Sequence, residues 1–494
     1  MTEKMYDSQI APPSLANARI GPRAIAFCLI AAVVFYCVPQ SMADPDIWWH
    51  LRDAQLQLAT RSFITRDLFS FTAAGAPWMN HEWLAELPFY AGFHLLGING
   101  IYVASLLAIE IIFSGILYLA YLGSGSWIAA SLATIAGIFL STISFGPRTL
   151  LFGWILLVIE LLIFTRSRQQ ERIVWTLPIL FLVWVNTHGS WLIGITIFLL
   201  FILSSGITLQ IGCIENRAAS RQQLGRLAMS WALSAAALFL NPYGWRLVFY
   251  PFNLAFHQKL NVANVEEWQS LDFHSPRGRI LLFSLVLLFL LQLLRARKWS
   301  LFELALACVG IYSALNYSRF LFLAAILVMP LLAASLAPFT LALRLRLTPL
   351  LRAALAILIL GCILGPIRTH KANATLSDPR FPQKALPFLS TFHPQGRVFN
   401  EQLWGGYLIW NKRDIPVFGD SRIDIFEYNG SFKDYLDIIR LKNPLALLDK
   451  YQIRYVLFES KSPLTYLLKV TGKWKVDYED DTTVLLERAS PASK

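Results

Sequence analysis

Runs of apolar residues recur from one end of this chain to the other, Ile280 to Leu294 and Phe320 to Leu336 among them. Burying every one of them in a soluble core would leave too little polar surface to face water, so the chain reads as a polytopic α-helical membrane protein. The residue balance agrees: 56% of the 494 residues are hydrophobic and only 15% are charged, too apolar for an ordinary soluble domain. Collagenous, disordered and disulfide-scaffold classes are excluded on the same grounds. The five cysteines, Cys28, Cys37, Cys213, Cys308 and Cys362, lie in or beside apolar segments with no CxxC and no Cys/His cluster. They read as packing or lipid-facing residues, without a disulfide framework or structural zinc site.

Eleven candidate spans cover roughly residues 24 to 42, 101 to 122, 127 to 145, 149 to 165, 172 to 186, 190 to 209, 227 to 241, 280 to 294, 300 to 316, 320 to 342 and 350 to 366. With the tail 1–23 cytoplasmic, the cytoplasmic segments collect Arg166, Arg168, Arg172, Arg217, Arg221, Arg226, Arg295, Arg297, Lys298, Arg344, Arg346 and Arg352. Together with Lys4, Arg19 and Arg23 these make fifteen Lys and Arg against four Asp and Glu, whereas the other side of the membrane part holds nine of each. The positive-inside rule then places the N-terminus in the cytoplasm, and an odd number of spans puts the C-terminus outside. The net charge of +12 follows this membrane pattern and implies no nucleic-acid partner. Ala24 to Val38, followed by Ser41-Met42-Ala43, also resembles a signal segment with a cleavage site. Keeping it as a first helix preserves the parity and holds the next, acidic motif against the bilayer.

A domain boundary is expected near residue 367, after Gly365-Pro366. The last 128 residues hold fifteen of the 31 acids and no span-length apolar run. Strand-like runs (Arg397 to Phe399, Pro416 to Gly419, Arg454 to Glu459, Thr483 to Glu487) alternate with helical patterns (Gln402 to Trp410, Phe432 to Arg440, Pro444 to Tyr451, Pro463 to Val470). The domains are therefore a cytoplasmic tail 1–23, a membrane domain 24–366 with a first outer loop 43–100, and an extracytoplasmic α/β domain 367–494.

Four polar motifs interrupt the apolar pattern. The first runs Asp44-Pro45-Asp46-Ile47-Trp48-Trp49-His50-Leu51-Arg52 and continues through Pro77-Trp78-Met79-Asn80-His81-Glu82-Trp83. Carboxylates beside hydrocarbon are costly to desolvate, so Asp44 and Asp46 should have raised pKa values unless cations lie near, as a general base requires. The bland reading, a helix cap plus an aromatic belt, suits Asp44 better than Asp46. The second is Asn186-Thr187-His188-Gly189-Ser190, a tight interhelical turn or a substrate-contacting segment. The third is Asn241-Pro242-Tyr243-Gly244 leading to Glu266-Glu267-Trp268, whose acids are site candidates or solvated loop. The fourth is Arg148 and Arg319 in short outer turns, where a guanidinium can bind phosphate oxygens or snorkel to lipid.

Orientation was set by the cytoplasmic Lys and Arg alone, yet all four motifs fall on the outer face, against the C-terminal domain. Glu110 is the mid-span acid, while Glu160 and Glu303 lie near cytoplasmic ends; a proton or ion transporter would carry more charge near the midplane. A short tail, one helix, an acidic motif directly outside it and a long amphipathic first loop together resemble the GT-C superfamily of membrane glycosyltransferases. Within it the likeness is to the group of protein O-mannosyltransferases and the lipid A aminoarabinose transferase. It extends in layout over residues 20 to 366 and is strongest over residues 44 to 98. His81-Glu82-Trp83-Leu84, Pro88-Phe89-Tyr90 and Leu95-Leu96-Gly97 are similar to the end of that group's first loop. The Asp-Pro-Asp-x-Trp-Trp-His-Leu, Asn-Thr-His-Gly-Ser and Asn-Pro-Tyr-Gly tracts also resemble a bacterial branch described mainly by prediction.

The resemblance implies that Asp46, with Asp44 beside it, is the catalytic base or acceptor-orienting residue, and that Glu82 joins a metal or acceptor site. Where better-known members have a second acid in the next outer loop, this chain has Arg148. It implies a sugar moved from a polyprenyl-phosphate donor to a lipid, glycan or protein acceptor at the membrane surface. Chemically, Asp46 would align or deprotonate the acceptor hydroxyl; Arg319, with Arg148 or Arg52, would stabilise the departing phosphate. His188, Asn186, Glu266 and Glu267 are further substrate-contact candidates, and Glu82, His81 and Asp46 are the groups a divalent metal would use, though without tight ligand spacing. Membrane lipids are the remaining partner, and a bacterial plasma membrane is the expected location, because the outer domain has no cysteines for an oxidising lumen. A transporter or flippase and a non-catalytic receptor remain the alternatives.

Overall fold

The computed structural model describes residues 21–39, 44–342, 349–369 and 381–489. Among the described residues five helices are long and apolar enough to cross a membrane: Ile98–Ser124, Trp127–Ser144, Leu150–Ser167, Pro276–Leu294 and Ser318–Leu341. Four shorter apolar helices, Pro22–Cys37, Trp191–Ser205, Leu301–Asn316 and Ala353–Gly365, accompany them. The expectation of eleven spans is therefore corrected to five that meet the length and hydropathy a crossing needs. Residues 172 to 186 fail because a 3-10 segment, Glu171–Thr176, leads into a helix of only nine residues, Leu177–Val185, which rises about 13 Å. Residues 227 to 241 fail because their helix starts earlier, at the capping box of Ser220 and Gln223, and opens with two polar turns.

The helices of the first part are α1 (Pro22–Cys37), α2 (Asp46–Thr60), α3 (Trp83–Leu96), α4 (Ile98–Ser124), α5 (Trp127–Ser141), α6 (Leu150–Ser167), α7 (Leu177–Val185) and α8 (Trp191–Ser205). A small hairpin, β1 (Leu209–Ile211) and β2 (Ile214–Asn216), precedes α9 (Arg221–Ala237), α10 (Trp245–His257), α11 (Lys259–Asn264), α12 (Pro276–Leu294), α13 (Leu301–Asn316), α14 (Leu321–Ala342) and α15 (Pro349–Thr369). α14 is apolar all round and lies at the centre, packed on α4, α5 and α13, as a helix without a polar face must be. α12 is also apolar but mostly exposed at the edge, as a lipid-facing helix is. The α3–α4 corner depends on glycine: Gly97 has φ 59°, and a Cβ on Gly100 would sit 1.8 Å from the carbonyl oxygen of Gly92.

The C-terminal region forms a four-stranded mixed sheet from β3 (Arg397–Asn400), β4 (Ile453–Glu459), β5 (Trp474–Glu479) and β6 (Thr483–Arg488), in the order β3-β4-β6-β5. β3 and β4 are parallel and the other pairs antiparallel. Its helices are α16 (Leu386–Thr391), α17 (Gly405–Asn411), α18 (Ile423–Tyr428), α19 (Ser431–Ile439), α20 (Pro444–Lys450) and α21 (Pro463–Val470). The run 416 to 419, expected as a strand of this sheet, pairs elsewhere: Val417 bridges in parallel to Ser70 of the first loop, with Phe71 N–H donating to Val417 O at 3.1 Å and Val417 N–H to Phe69 O at 3.0 Å. Gly406 of α17 closes on α2, where a Cβ would lie 2.6 Å from Pro45 O. Glu427 accepts the backbone N–H groups of Leu260 and Asn261 at 2.8 Å each, satisfying donors at the start of α11. The sheet region is thus docked on the same face as residues 44–97.

Candidate functional site

α2 is started by Asp44, whose Oδ1 accepts the backbone N–H of Asp46 at 3.0 Å in an Asx turn. The other oxygen of Asp44 accepts Arg148 Nε at 3.1 Å, and Arg148 reaches on to Glu267. Burial works against the arginine's charge, but the two carboxylates more than offset it and raise its pKa. Asp44, Arg148 and Glu267 therefore form one chain of charges across three segments that are far apart in sequence. Arg319 is tied to the same place: Ser318 N–H donates to Gln269 O at 2.9 Å, and the Arg319 guanidinium lies 5.0 Å from the Trp268 ring centre. The side chain of Glu266 lies outside the described residues.

Asp46 faces inward from the first turn of α2, sharing a face with Trp49 and His50. Trp49 Nε1 lies 3.4 Å from Asp46 Oδ1 and donates more closely, at 3.1 Å, to Ser421 Oγ of the C-terminal region. Burial pushes the Asp46 carboxyl up to about 6, and the neighbouring Asp44 charge adds to this while His50 opposes it. A carboxylate in this range is ionised at neutral pH and still basic enough to accept a proton, as a general base must be.

Beside it lies a carboxylate and imidazole cluster. Glu82 Oε1 is 3.1 Å from His188 Nε2 and 3.5 Å from His81 Nε2, and Oε2 is 3.5 Å from His50 Nε2. His188 Nδ1 accepts Ser190 N–H at 2.9 Å, so its Nε2 carries the proton and donates to Glu82. Burial alone would raise Glu82, but the His81 charge and the His188 hydrogen bond hold it well below the usual carboxylate range. His50 Nδ1 lies 2.8 Å from the fully buried Glu86, which also takes both its oxygens to Asn80 Nδ2 at 2.8 and 2.9 Å. Burial disfavours the charged imidazole, yet Glu86, with Glu82 and Asp46, pushes His50 up to about 9. Each ring nitrogen of His50 faces a carboxylate, the geometry of an imidazolium.

The C-terminal region supplies residues that the sequence did not single out. Arg422, 1% exposed, donates to Asp67 at 2.7 Å and to Asp420 at 2.6 Å, with its guanidinium 4.7 Å from the Trp78 ring and 5.0 Å from that of Phe69. Asp424 is hydrogen-bonded to Tyr250 and pushed up to about 6 by burial, with His81 opposing; the His81 ring in turn lies 4.8 Å from that of Tyr250. Asp53 is fully buried on α2 with neither oxygen hydrogen-bonded among the described residues, and burial, with Glu86 adding, raises it far above the ordinary range. Asp53 was legible as the next inward position after Asp46 and His50, seven residues on. For Arg422 the only signal was the charged run Asp420-Ser421-Arg422-Ile423-Asp424 after a strand-like run.

Of the sequence candidates, the structure brings Asp44, Asp46, Arg148, Glu267 and Arg319 to one side and His81, Glu82 and His188 to the other, with His50 between. Asn186 is placed differently: Oδ1 accepts Trp83 Nε1 at 3.1 Å, and Nδ2 donates to Leu182 O at 2.8 Å and Leu240 O at 3.0 Å, which makes it a brace between segments. Arg52 turns away from Asp46 to Gln55 at 2.6 Å and lies near Arg413. Among the described residues no group of three or more His, Cys, Asp or Glu is placed to hold a metal ion. Of the residues named for a metal, Glu82 Oε1 lies 3.5 Å from His81 Nε2, and Asp46 is turned toward the Trp49 indole N–H.

No protein-family model and no curated protein sequence matches the chain. Its architecture does match solved membrane enzymes. ArnT from Cupriavidus metallidurans in the apo state matches with a TM-score of 0.56 at 14% identity, over 94% of this chain and 98% of that one. The same protein bound to undecaprenyl phosphate matches with a TM-score of 0.50 at 13% identity, over 94% and 99%. The oligosaccharyltransferase of Archaeoglobus fulgidus, tethered with an acceptor peptide, matches with a TM-score of 0.56 at 12% identity, over 95% of this chain and 75% of that one. At such identities the likeness is one of fold: this chain shares its architecture with ArnT and with that oligosaccharyltransferase.

Proposed function

We propose that this chain transfers a sugar from a polyprenyl-phosphate donor to an acceptor hydroxyl at the membrane surface, with Asp46 as the general base. The observation that carries this reading is the Asp46 carboxyl, half-buried and raised to about 6, between the Asp44–Arg148–Glu267 chain and an aromatic wall, on a GT-C-like fold. Asp46 takes the acceptor proton as the acceptor oxygen bonds to the anomeric carbon; the bond from that carbon to phosphate breaks, and the electron pair leaves on the polyprenyl phosphate. Arg319 receives that anion in this reading, while Arg148, held by Asp44 and Glu267, fixes Asp44 beside the base. His188, His81 and Glu82 form the second wall, which suits sugar hydroxyls or the acceptor. That ArnT has been solved with undecaprenyl phosphate supports a lipid phosphate as the donor's carrier.

On this reading the face bearing residues 44–97 and the sheet domain is extracytoplasmic, the tail 1–23 is cytoplasmic and the membrane is a bacterial plasma membrane. A Lys473→Cys protein should react with an impermeant reagent from outside the cell and an Arg221→Cys protein should not; labelling of both from one side overturns the orientation. Function is tested with purified protein, a labelled polyprenyl-phosphate sugar and envelope acceptors. Label on a new acceptor supports the proposal. Label carried across a vesicle without a new bond makes the protein a flippase, and binding with neither makes it a receptor.

A further inference from the structure

α10 has two unlike faces. Trp245, Phe249, Phe252 and Phe256 are 62%, 55%, 42% and 70% exposed. At about 100° per residue these four positions fall within about 60° of one another, a single aromatic stripe along the helix. The opposite face is spent on protein: Leu247 and Val248 are buried, and Tyr250 packs its ring 4.8 Å from that of His81 and hydrogen-bonds to Asp424. A water-facing helix would not carry four large aromatics on its open side, and such a patch marks a surface made to be covered.

Three observations identify the cover. The stripe is preceded by Phe239 and Leu240, 49% and 64% exposed, just past the end of α9. Residues 238 to 265 contain no Asp or Glu but do contain Arg246, His257 and Lys259, with Arg246 in the first turn of α10 and Lys259 just past its end. Tyr243, two residues before α10, donates to Ile64 O of the first loop at 2.8 Å, which sets the helix at the level of that loop, outside the spanning helices. An aromatic stripe with basic residues at its ends is the pattern of a helix lying in a membrane interface, where anionic headgroups meet the cations and lipid chains meet the rings.

We propose that α10 lies in the plane of the membrane surface with its aromatic stripe seated among lipid chains, so that the lipid surface backs one wall of the His81–Glu82–Asp424 site through Tyr250. The occupant of the stripe is bilayer lipid. The inference stands on the membrane-spanning fold and does not require the sugar-transfer reading.

The test is photocrosslinking of the full chain in vesicles of phosphatidylethanolamine and phosphatidylglycerol with radiolabelled acyl chains. p-Benzoylphenylalanine replaces Phe249 or Phe256; both positions are exposed, so its additional benzoyl group extends away from the protein and folding is preserved. The same residue at Leu107, exposed on a spanning helix, gives the lipid reference, and at Lys475, exposed on the outer sheet, the water reference. Lipid adducts at 249 and 256 should approach the Leu107 yield and exceed that at Lys475 by at least about tenfold. A crosslinked dimer without lipid adducts would make the stripe an interface between copies of the chain and overturn the proposal. Yields equal to Lys475 at both positions would overturn it too, by placing the stripe in water.

Discussion

Replacing Asp46 by Asn should lower single-turnover sugar transfer by ~100-fold to ~10,000-fold, the usual span for a lost general base. That corresponds to about 3 to 5 kcal/mol of transition-state stabilisation. The amide keeps the shape and can still accept the Trp49 N–H, so expression and donor affinity should hardly change and the loss should fall on the rate constant. Asp44→Asn is the internal comparison. Asp44 starts α2 and holds Arg148, so its loss weakens a turn and an ion pair but removes no base, and should cost less than about tenfold. Equal losses at the two positions would place the chemistry on the pair, and near-normal transfer by Asp46→Asn would remove it from the base role.

Arg422→Met should have the largest effect on stability. The substitution removes the guanidinium from between Asp67 and Asp420 and leaves both carboxylates buried without their cation. Breaking one partner of a buried pair costs ~3 to 5 kcal/mol because the remaining charge cannot reach water. The same side chain holds the C-terminal region against Trp78 and Phe69 of the first loop, so the melting temperature should fall and the region after residue 381 should become sensitive to protease. Transfer should fall as well, since Ser421 would no longer be held against Trp49. Arg422→Lys should recover only part of the stability, because one ammonium cannot make the same planar pair of contacts. An unchanged melting temperature and digestion pattern would mean that strand pairing and apolar contacts alone hold the domain.

The acidic and histidine motifs were legible because each breaks a run of apolar residues, and breaks on one side of a membrane must share that surface. Topology sufficed to put Asp44, Asp46, His81, Glu82, Arg148, His188 and Glu267 on one face; their division into two clusters was not legible, because it depends on how the helices pack. The role of Asn186 was not legible: a polar turn residue looks the same whether it meets substrate or braces Trp83 against Leu240. Nor was the span count, since hydropathy reports where a chain is apolar but not where a helix begins. Caps and 3-10 segments decide that, as Ser220 does for α9 and residues 171–176 do for α7. Arg422 was hidden for a different reason. Its partner Asp67 lies 355 residues away, and only the docking of Val417 on Ser70 brings the two together.

The pH dependence of single-turnover transfer tests the central claim most directly, because it reports the protonation of the base itself. Asp46 works only when ionised, so the wild-type rate should rise with pH through a limb near 6, the position to which burial and the Asp44 charge bring this carboxyl. Asp44→Asn removes one of the three effects that raise Asp46, burial and the Glu82 charge being the others, so its limb should move to lower pH while the plateau rate stays within about tenfold of wild type. A wild-type rate flat between pH 5 and 7, or a limb that the Asp44 substitution leaves in place, would contradict Asp46 as the base.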